Sequence, residues 1–82
     1  MWDVKISPHA KKFLDSLNKE DIQRIVRKLK DIEANPFRFL EHYEGCYYKL
    51  RIGDFRALID LQFERKIILI QVLDKRGRIY KR

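Results

Sequence analysis

The sequence contains few of the residues from which disulfides, metal centres and nucleotide sites are usually built. It has one cysteine, two histidines and three glycines in 82 residues. The lone Cys46 excludes a disulfide within the chain. His9 and His42 are isolated from one another, and neither has the spacing of a nucleophile–base pair with Cys46, so they predict no metal centre and no catalytic thiol. Three glycines do not make a phosphate-binding loop. We therefore expect no metal and no cofactor.

Long hydrophobic runs are also missing from the sequence. No stretch has the length and apolarity of a membrane span, and the first residues lack the charged-then-apolar order of a signal peptide. These absences predict a protein that does not contact membranes and resides in the cytoplasm. A length of 82 residues predicts a single domain over residues 1–82 with a small core.

Positive charge is plentiful and unevenly distributed. The chain carries a net charge of +7. Residues 1–46 contain nine basic and eight acidic residues, whereas residues 47–82 contain ten and four. The positive field therefore belongs to the second half of the chain, where it would attract nucleic acid phosphates or an acidic protein partner.

The segment YYKLRIGDFRALID, residues 47–60, has the alternation of a β-hairpin around Gly53 and Asp54. A two-residue turn there pairs Ile52 with Phe55 and places one apolar face on the core. On the other face it gathers Lys49, Arg51 and Arg56. Because like charges directly opposite each other destabilise a sheet, the pairing of Arg51 with Arg56 favours an anion-binding role for this face over a merely solvated one.

The remaining pattern predicts an α+β fold. Residues 2–6 alternate as a short strand, Ser7-Pro8 and Asn18 are suited to begin two amphipathic helices, and Asn35-Pro36 ends the second. We interpret residues 36–45 as a connecting loop and residues 67–73 as a central strand covered on both faces. Both helices are expected to bury their apolar stripes on one face of a small antiparallel sheet.

The chemistry open to such a site is that of lysine, arginine and tyrosine around an anion. This set suits cleavage of RNA by its own 2′-OH, which requires a base for the hydroxyl, cations for the phosphorane and an acid for the 5′-oxygen.

In the order of its elements the chain resembles the RelE/ParE toxin superfamily, and specifically its RelE-like mRNA interferase branch. The block KLRIGDFR and the ending DKRGRIY are the specific parts of the resemblance. It implies a RelE-like fold in a toxin of a type II toxin–antitoxin system. It further implies an endoribonuclease that cuts mRNA in the ribosomal A site without a metal, and an acidic RelB-like antitoxin as partner.

By position, the resemblance implies four catalytic residues, namely Lys49, Arg56, Arg76 and Tyr80. Arg51, Tyr47 and Arg78 are the further residues that we expect to contact RNA. Some RelE enzymes carry a second lysine where this chain has Tyr47, so Tyr47, Lys49 and Tyr80 are all candidates for the general base.

The sequence leaves two other classes of function open. The ParE branch implies a protein-binding inhibitor of DNA gyrase, although its members generally lack this set of basic and tyrosine residues. The missing second lysine is the argument for the other class, a non-catalytic RNA-binding domain.

Overall fold

A five-stranded sheet forms the centre of the computed structural model, which describes residues 2–75. The strands are β1 (Asp3–Ile6), β2 (Glu41–Glu44), β3 (Tyr47–Ile52), β4 (Phe55–Gln62) and β5 (Ile67–Lys75), arranged in the order β1-β5-β4-β3-β2. The fold class is α+β, as predicted, but the sheet is mixed rather than antiparallel, because β1 pairs with β5 in parallel. Parallel neighbours need a crossover connection, and the helices after β1 provide its beginning.

Within the described residues, three helices accompany the sheet: α1 (Pro8–Asp15), α2 (Lys19–Ala34) and α3 (Pro36–Phe39). The predicted caps are confirmed, since the Ser7 side chain accepts a hydrogen bond from the backbone N–H of Ala10 at 3.0 Å. Asn18 does the same for Asp21 at 2.9 Å. In the part of the chain from residue 2 to residue 75, no helix is long and apolar enough to cross a membrane.

The prediction of a loop over residues 36–45 was wrong, because this segment contains both α3 and β2. All four residues of β2 are exposed, so the strand lacks the alternation that would reveal it in the sequence. Its pairing with β3, a tertiary contact, determines its conformation instead.

The β3–β4 hairpin has the predicted register throughout, with Ile52 opposite Phe55 and Arg51 opposite Arg56. Gly53 occupies the turn at φ +58°, a left-handed conformation that favours glycine. The core-facing residues Leu50, Ile52, Phe55, Ala57, Ile59 and Leu61 are at most 4% exposed, whereas Tyr48 is half-buried. Buried residues of α1 and α2 pack against them, so both helices lie on one face of the sheet, as predicted. We call the opposite face the outer face.

Strand β5 is an inner strand of the sheet, but the prediction that it is covered on both faces was wrong. Ile68, Ile70 and Leu73 are buried on the helix side, whereas residues such as Leu69 and Val72 are only half-buried. The helices occupy one face, and no described element covers the other to the same extent. The nearly continuous apolar run therefore overstates the burial of this strand.

Candidate functional site

The outer face carries the basic residues of the hairpin. Lys49 and Arg51 of β3 alternate with the core-facing Leu50, and Arg56 of β4 alternates with Phe55 and Ala57. The three cations meet in a pocket of about 270 Å³, which also includes Phe39 and Glu41 and which we call the basic pocket. Three residues assigned from the sequence, namely Lys49, Arg51 and Arg56, are thus brought together.

Arg56 is a buried cation at the bottom of this face. Only 8% of the residue is exposed, and its Nη1 donates a hydrogen bond to its neighbour's backbone oxygen, that of Phe55, at 3.1 Å. Asp74 lies opposite Arg56 in the β4–β5 register, yet within residues 2–75 the guanidinium forms no ion pair with a carboxylate. A buried charge without a counter-ion costs free energy, which an incoming anion would recover.

Arg51, directly opposite Arg56 on β3, is exposed. The two guanidinium-bearing residues therefore present one buried and one accessible positive charge to the same pocket. Arginine offers planar, paired N–H donors that match the oxygens of a phosphate. The arrangement can bind a phosphodiester and can stabilise additional charge that develops on it.

Lys49 is held at the pocket by a carboxylate that the sequence analysis did not identify. Its Nζ lies 3.7 Å from Oε1 of Glu41 on β2 and 5.6 Å from the centroid of the Tyr43 ring. Glu41 is 78% exposed at its side chain, so this ion pair is weak. Glu41 thus lowers the positive potential of the pocket and competes with an anion for Lys49.

Phe39 and Lys28 were also missed as neighbours of the site. Phe39 lines the basic pocket, and the Nζ of Lys28 on α2 lies 4.6 Å from the centroid of its ring. Sequence periodicity gives no signal for either residue, because α2 and α3 bring them to the hairpin only in the folded chain.

Tyr47 lines a second, adjacent depression of about 740 Å³ rather than the basic pocket. We call it the tyrosine groove; its other lining residues are His9, Tyr43, Glu44, Leu58, Gln71 and Val72. Two sequence-assigned catalytic residues, Arg76 and Tyr80, lie outside the described residues, as does Arg78. Their roles remain predictions.

Cys46 is not an activated thiol in this structure. Its Sγ donates a hydrogen bond to Oδ1 of Asp60 at 3.2 Å. This bond is the largest cause of a raised pKa for the Cys46 thiol, and slight desolvation and the negative charge of Asp60 act in the same direction. A raised pKa keeps the thiol protonated, which agrees with a structural rather than a nucleophilic role.

Comparison with known proteins identifies the fold. No protein-family model matches the sequence, and no curated protein matches it. The chain is similar to a solved structure of an archaeal RelE–RelB complex from Pyrococcus horikoshii, with 29% identity, a TM-score of 0.79, and coverage of 94% of this chain and 97% of that one.

Two further structures show the same similarity at lower identity. One is the RelBE2 toxin–antitoxin complex of Mycobacterium tuberculosis, with 20% identity, a TM-score of 0.82, and coverage of 92% and 98% of the two chains. The other is the isolated RelE toxin of E. coli, with 15% identity, a TM-score of 0.78, and coverage of 98% and 92%. The chain therefore has a RelE-like fold, as its sequence resemblance predicts.

Proposed function

We propose that this chain is the toxin of a toxin–antitoxin pair and that it arrests translation by cutting mRNA on the ribosome. The similarity to RelE toxins, several of them solved in complex with RelB, supports the toxin assignment. The cleavage reaction is supported by one observation above all: the buried guanidinium of Arg56 faces the same pocket as Lys49 and Arg51 without a carboxylate partner of its own in residues 2–75.

The reaction proposed is attack of an RNA 2′-oxygen on the adjacent phosphorus. A base removes the 2′-hydroxyl proton, the bond from phosphorus to the 5′-oxygen breaks, and an acid protonates that oxygen. The products are a 2′,3′-cyclic phosphate and a 5′-hydroxyl. Negative charge grows on the phosphorane during this step, and a desolvated cation at that place stabilises the transition state more than the ground state.

We assign Arg56 to that charge, together with Arg76 of the terminal segment on the basis of the resemblance. Lys49 supplies further positive charge or acts as base, and Tyr47 and Tyr80 are the other candidates for proton transfer. Arg51 and Arg78 contact phosphates. The reaction is proposed to need no metal, so a sulfur placed at the scissile phosphate should slow cleavage without rescue by a thiophilic metal ion.

Ribosome dependence follows from the modest strength of these groups. Lysine and tyrosine are poor proton-transfer groups near neutral pH, where histidine is the usual catalytic acid and base. Correct alignment of the 2′-oxygen with the leaving oxygen must then supply much of the rate, and the ribosomal A site would hold the message in that geometry.

An acidic RelB-like antitoxin is the proposed partner. The net charge of +7 and the cations of the outer face suit an acidic chain that covers the basic pocket and excludes RNA. Co-expression with a neighbouring acidic reading frame should yield a complex and restore growth. Expression of the toxin without its antitoxin and without growth arrest would contradict this assignment.

A reconstituted translation reaction tests the proposal. The wild-type protein should stop protein synthesis and leave gyrase-driven supercoiling unchanged. At the same dose, the Arg56→Ala variant should leave protein synthesis unaffected. Arg27→Ala, on the exposed surface of α2, is the matched control and should arrest translation like the wild type. Loss of supercoiling with translation intact would favour the ParE-like inhibitor instead.

A further inference from the structure

Both register shifts in the sheet place their extra residue in the tyrosine groove. The register of β2 shifts between His42 and Glu44, so Tyr43 is the inserted residue of that bulge. In β5, Val72 pairs with Leu58 and Ile70 with Ile59, so Gln71 has no partner on β4. Tyr43 and Gln71 both line the groove. β-Bulges redirect side chains and are over-represented beside active sites, so two of them at one groove indicate a built site.

The groove combines aromatic sides with an apolar floor. Tyr43 is 45% exposed, and Tyr47 is half-buried beside it on the neighbouring strand. Leu58 and Val72 face one another across β4 and β5 and are also half-buried. Tyrosine rings beside an apolar floor suit a flat heterocycle, and stacking of a nucleobase on an aromatic side chain is a common basis of single-strand recognition.

Polar groups stand at the edge of this apolar surface. The Ser7 hydroxyl donates to the backbone oxygen of Gln71 at 2.7 Å and accepts from the backbone N–H of Ala10 at 3.0 Å. Ser7 thus ties the bulge in β5 to the first turn of α1, which carries His9 to the groove. The Gln71 amide can donate and accept hydrogen bonds, whereas the Glu44 carboxylate can only accept them.

The groove adjoins the basic pocket. Tyr47 and Lys49 are two residues apart on β3 and share the outer face, which separates them by about 7 Å along the strand. Leu58, on the floor of the groove, is the direct β4 partner of Lys49. A nucleotide whose phosphate occupies the basic pocket can therefore place a neighbouring base in the groove.

We propose that the tyrosine groove binds one base of the RNA and prefers a base with an exocyclic amino group over uracil. Adenine, cytosine and guanine each carry an amino group that can donate to Glu44, whereas the N3–H donor of uracil lies between two carbonyl oxygens, which the carboxylate repels. Gln71, on the opposite side of the groove, hydrogen-bonds another edge of the base. This inference rests on the proposed function, because it places the substrate of that reaction on the same face.

Binding of 2′-fluoro trinucleotides to the ¹⁵N-labelled full chain tests the groove without cleavage, since these probes lack the attacking hydroxyl. The four homotrimers are compared by NMR titration. The chain has three glutamines, and Gln71→Leu assigns the side-chain amide signals of Gln71. Gln62 lies on the same face at the far end of β4, so Gln62→Leu is the matched control.

We expect the Gln71 amide signals to shift on binding and those of Gln62 to stay in place. The uridine trimer should bind on the order of tenfold more weakly than the tightest trimer, a difference that Glu44→Gln reduces and Gln62→Leu leaves unchanged. Equal affinities for all four trimers, or Gln71 signals that do not move, would overturn the proposal.

Cleavage on the ribosome is scored separately. A protein that ranks the trimers as expected but never cuts mRNA supports the groove and contradicts the nuclease. If the protein cuts mRNA but no trimer shifts its Gln71 amide signals, the proposed base-binding role of the groove is wrong while the nuclease function stands.

Discussion

Replacing Arg56 by methionine removes the buried charge while keeping an unbranched side chain that fills most of the same space. Arg56 is 8% exposed, and among residues 2–75 its guanidinium forms one hydrogen bond, to the backbone oxygen of Phe55. Loss of that bond costs about 1 kcal/mol of folding free energy. Removal of a desolvated cation that has no carboxylate partner within residues 2–75 offsets this cost. The free energy of unfolding should therefore change by less than about 1 kcal/mol, or increase.

The effect of Arg56→Met on cleavage should be far larger. A donor aimed at charge that develops in the transition state contributes roughly 1.4 to 4 kcal/mol, so the rate should fall by about tenfold to a thousandfold. Affinity for the ribosome should fall much less, because other cations remain. Arg56→Lys keeps the charge but loses the paired N–H donors, so its cleavage rate should lie between those of the wild type and Arg56→Met.

Single-turnover cleavage on programmed ribosomes and urea unfolding of the same preparations provide the two readouts. A stable but slow Arg56→Met protein would identify a residue kept for function at some expense of stability. The reasoning fails if the variant loses more than about 2 kcal/mol of stability, which would make Arg56 structural. It also fails if the variant cuts mRNA as fast as the wild type.

Three further predictions concern Glu41 at the basic pocket, the Cys46 thiol and the turn of the β3–β4 hairpin. Glu41→Gln removes a competitor of RNA for Lys49, so RNA affinity at low salt should rise several-fold while stability changes by less than about 0.5 kcal/mol, as filter binding and urea unfolding would show. Asp60→Asn should lower the raised pKa of Cys46 and speed its alkylation by iodoacetamide near pH 8. The alkylation rates of wild type and variant should converge at pH values above the thiol pKa of both proteins. Equal rates at pH 8 would contradict the hydrogen bond. Gly53→Ala should lower the free energy of unfolding by about 1 to 2 kcal/mol, because the turn requires φ +58°; an unchanged urea midpoint would show that the turn relaxes.

Local signals predicted the parts of the fold that depend on neighbouring residues. Ser7 and Asn18 begin helices because their side chains satisfy free backbone N–H groups within three residues. The hairpin register follows from the position of Gly53 and the alternation around it. These features need no knowledge of the rest of the chain.

The missed features depend on distant segments. The parallel pairing of β1 with β5 joins residues such as Val4 and Ile68, which no local pattern connects. The exposed strand β2 forms because β3 offers it an edge. The candidate site also combines predictable and unpredictable features. The alternation of residues in the hairpin placed Lys49, Arg51 and Arg56 on one face. It could not reveal that Arg56 is buried or that Glu41 reaches Lys49.

The central claim is that the ribosome aligns the message for a site whose own proton-transfer groups are weak. The most direct test compares the rate at which purified protein cuts one mRNA free in solution and in the A site of a ribosome, with analysis of the new ends. The account predicts much faster cleavage on the ribosome, with a 2′,3′-cyclic phosphate and a 5′-hydroxyl at the cut. Equal rates on free and ribosome-bound message, or no cleavage of either, would contradict it.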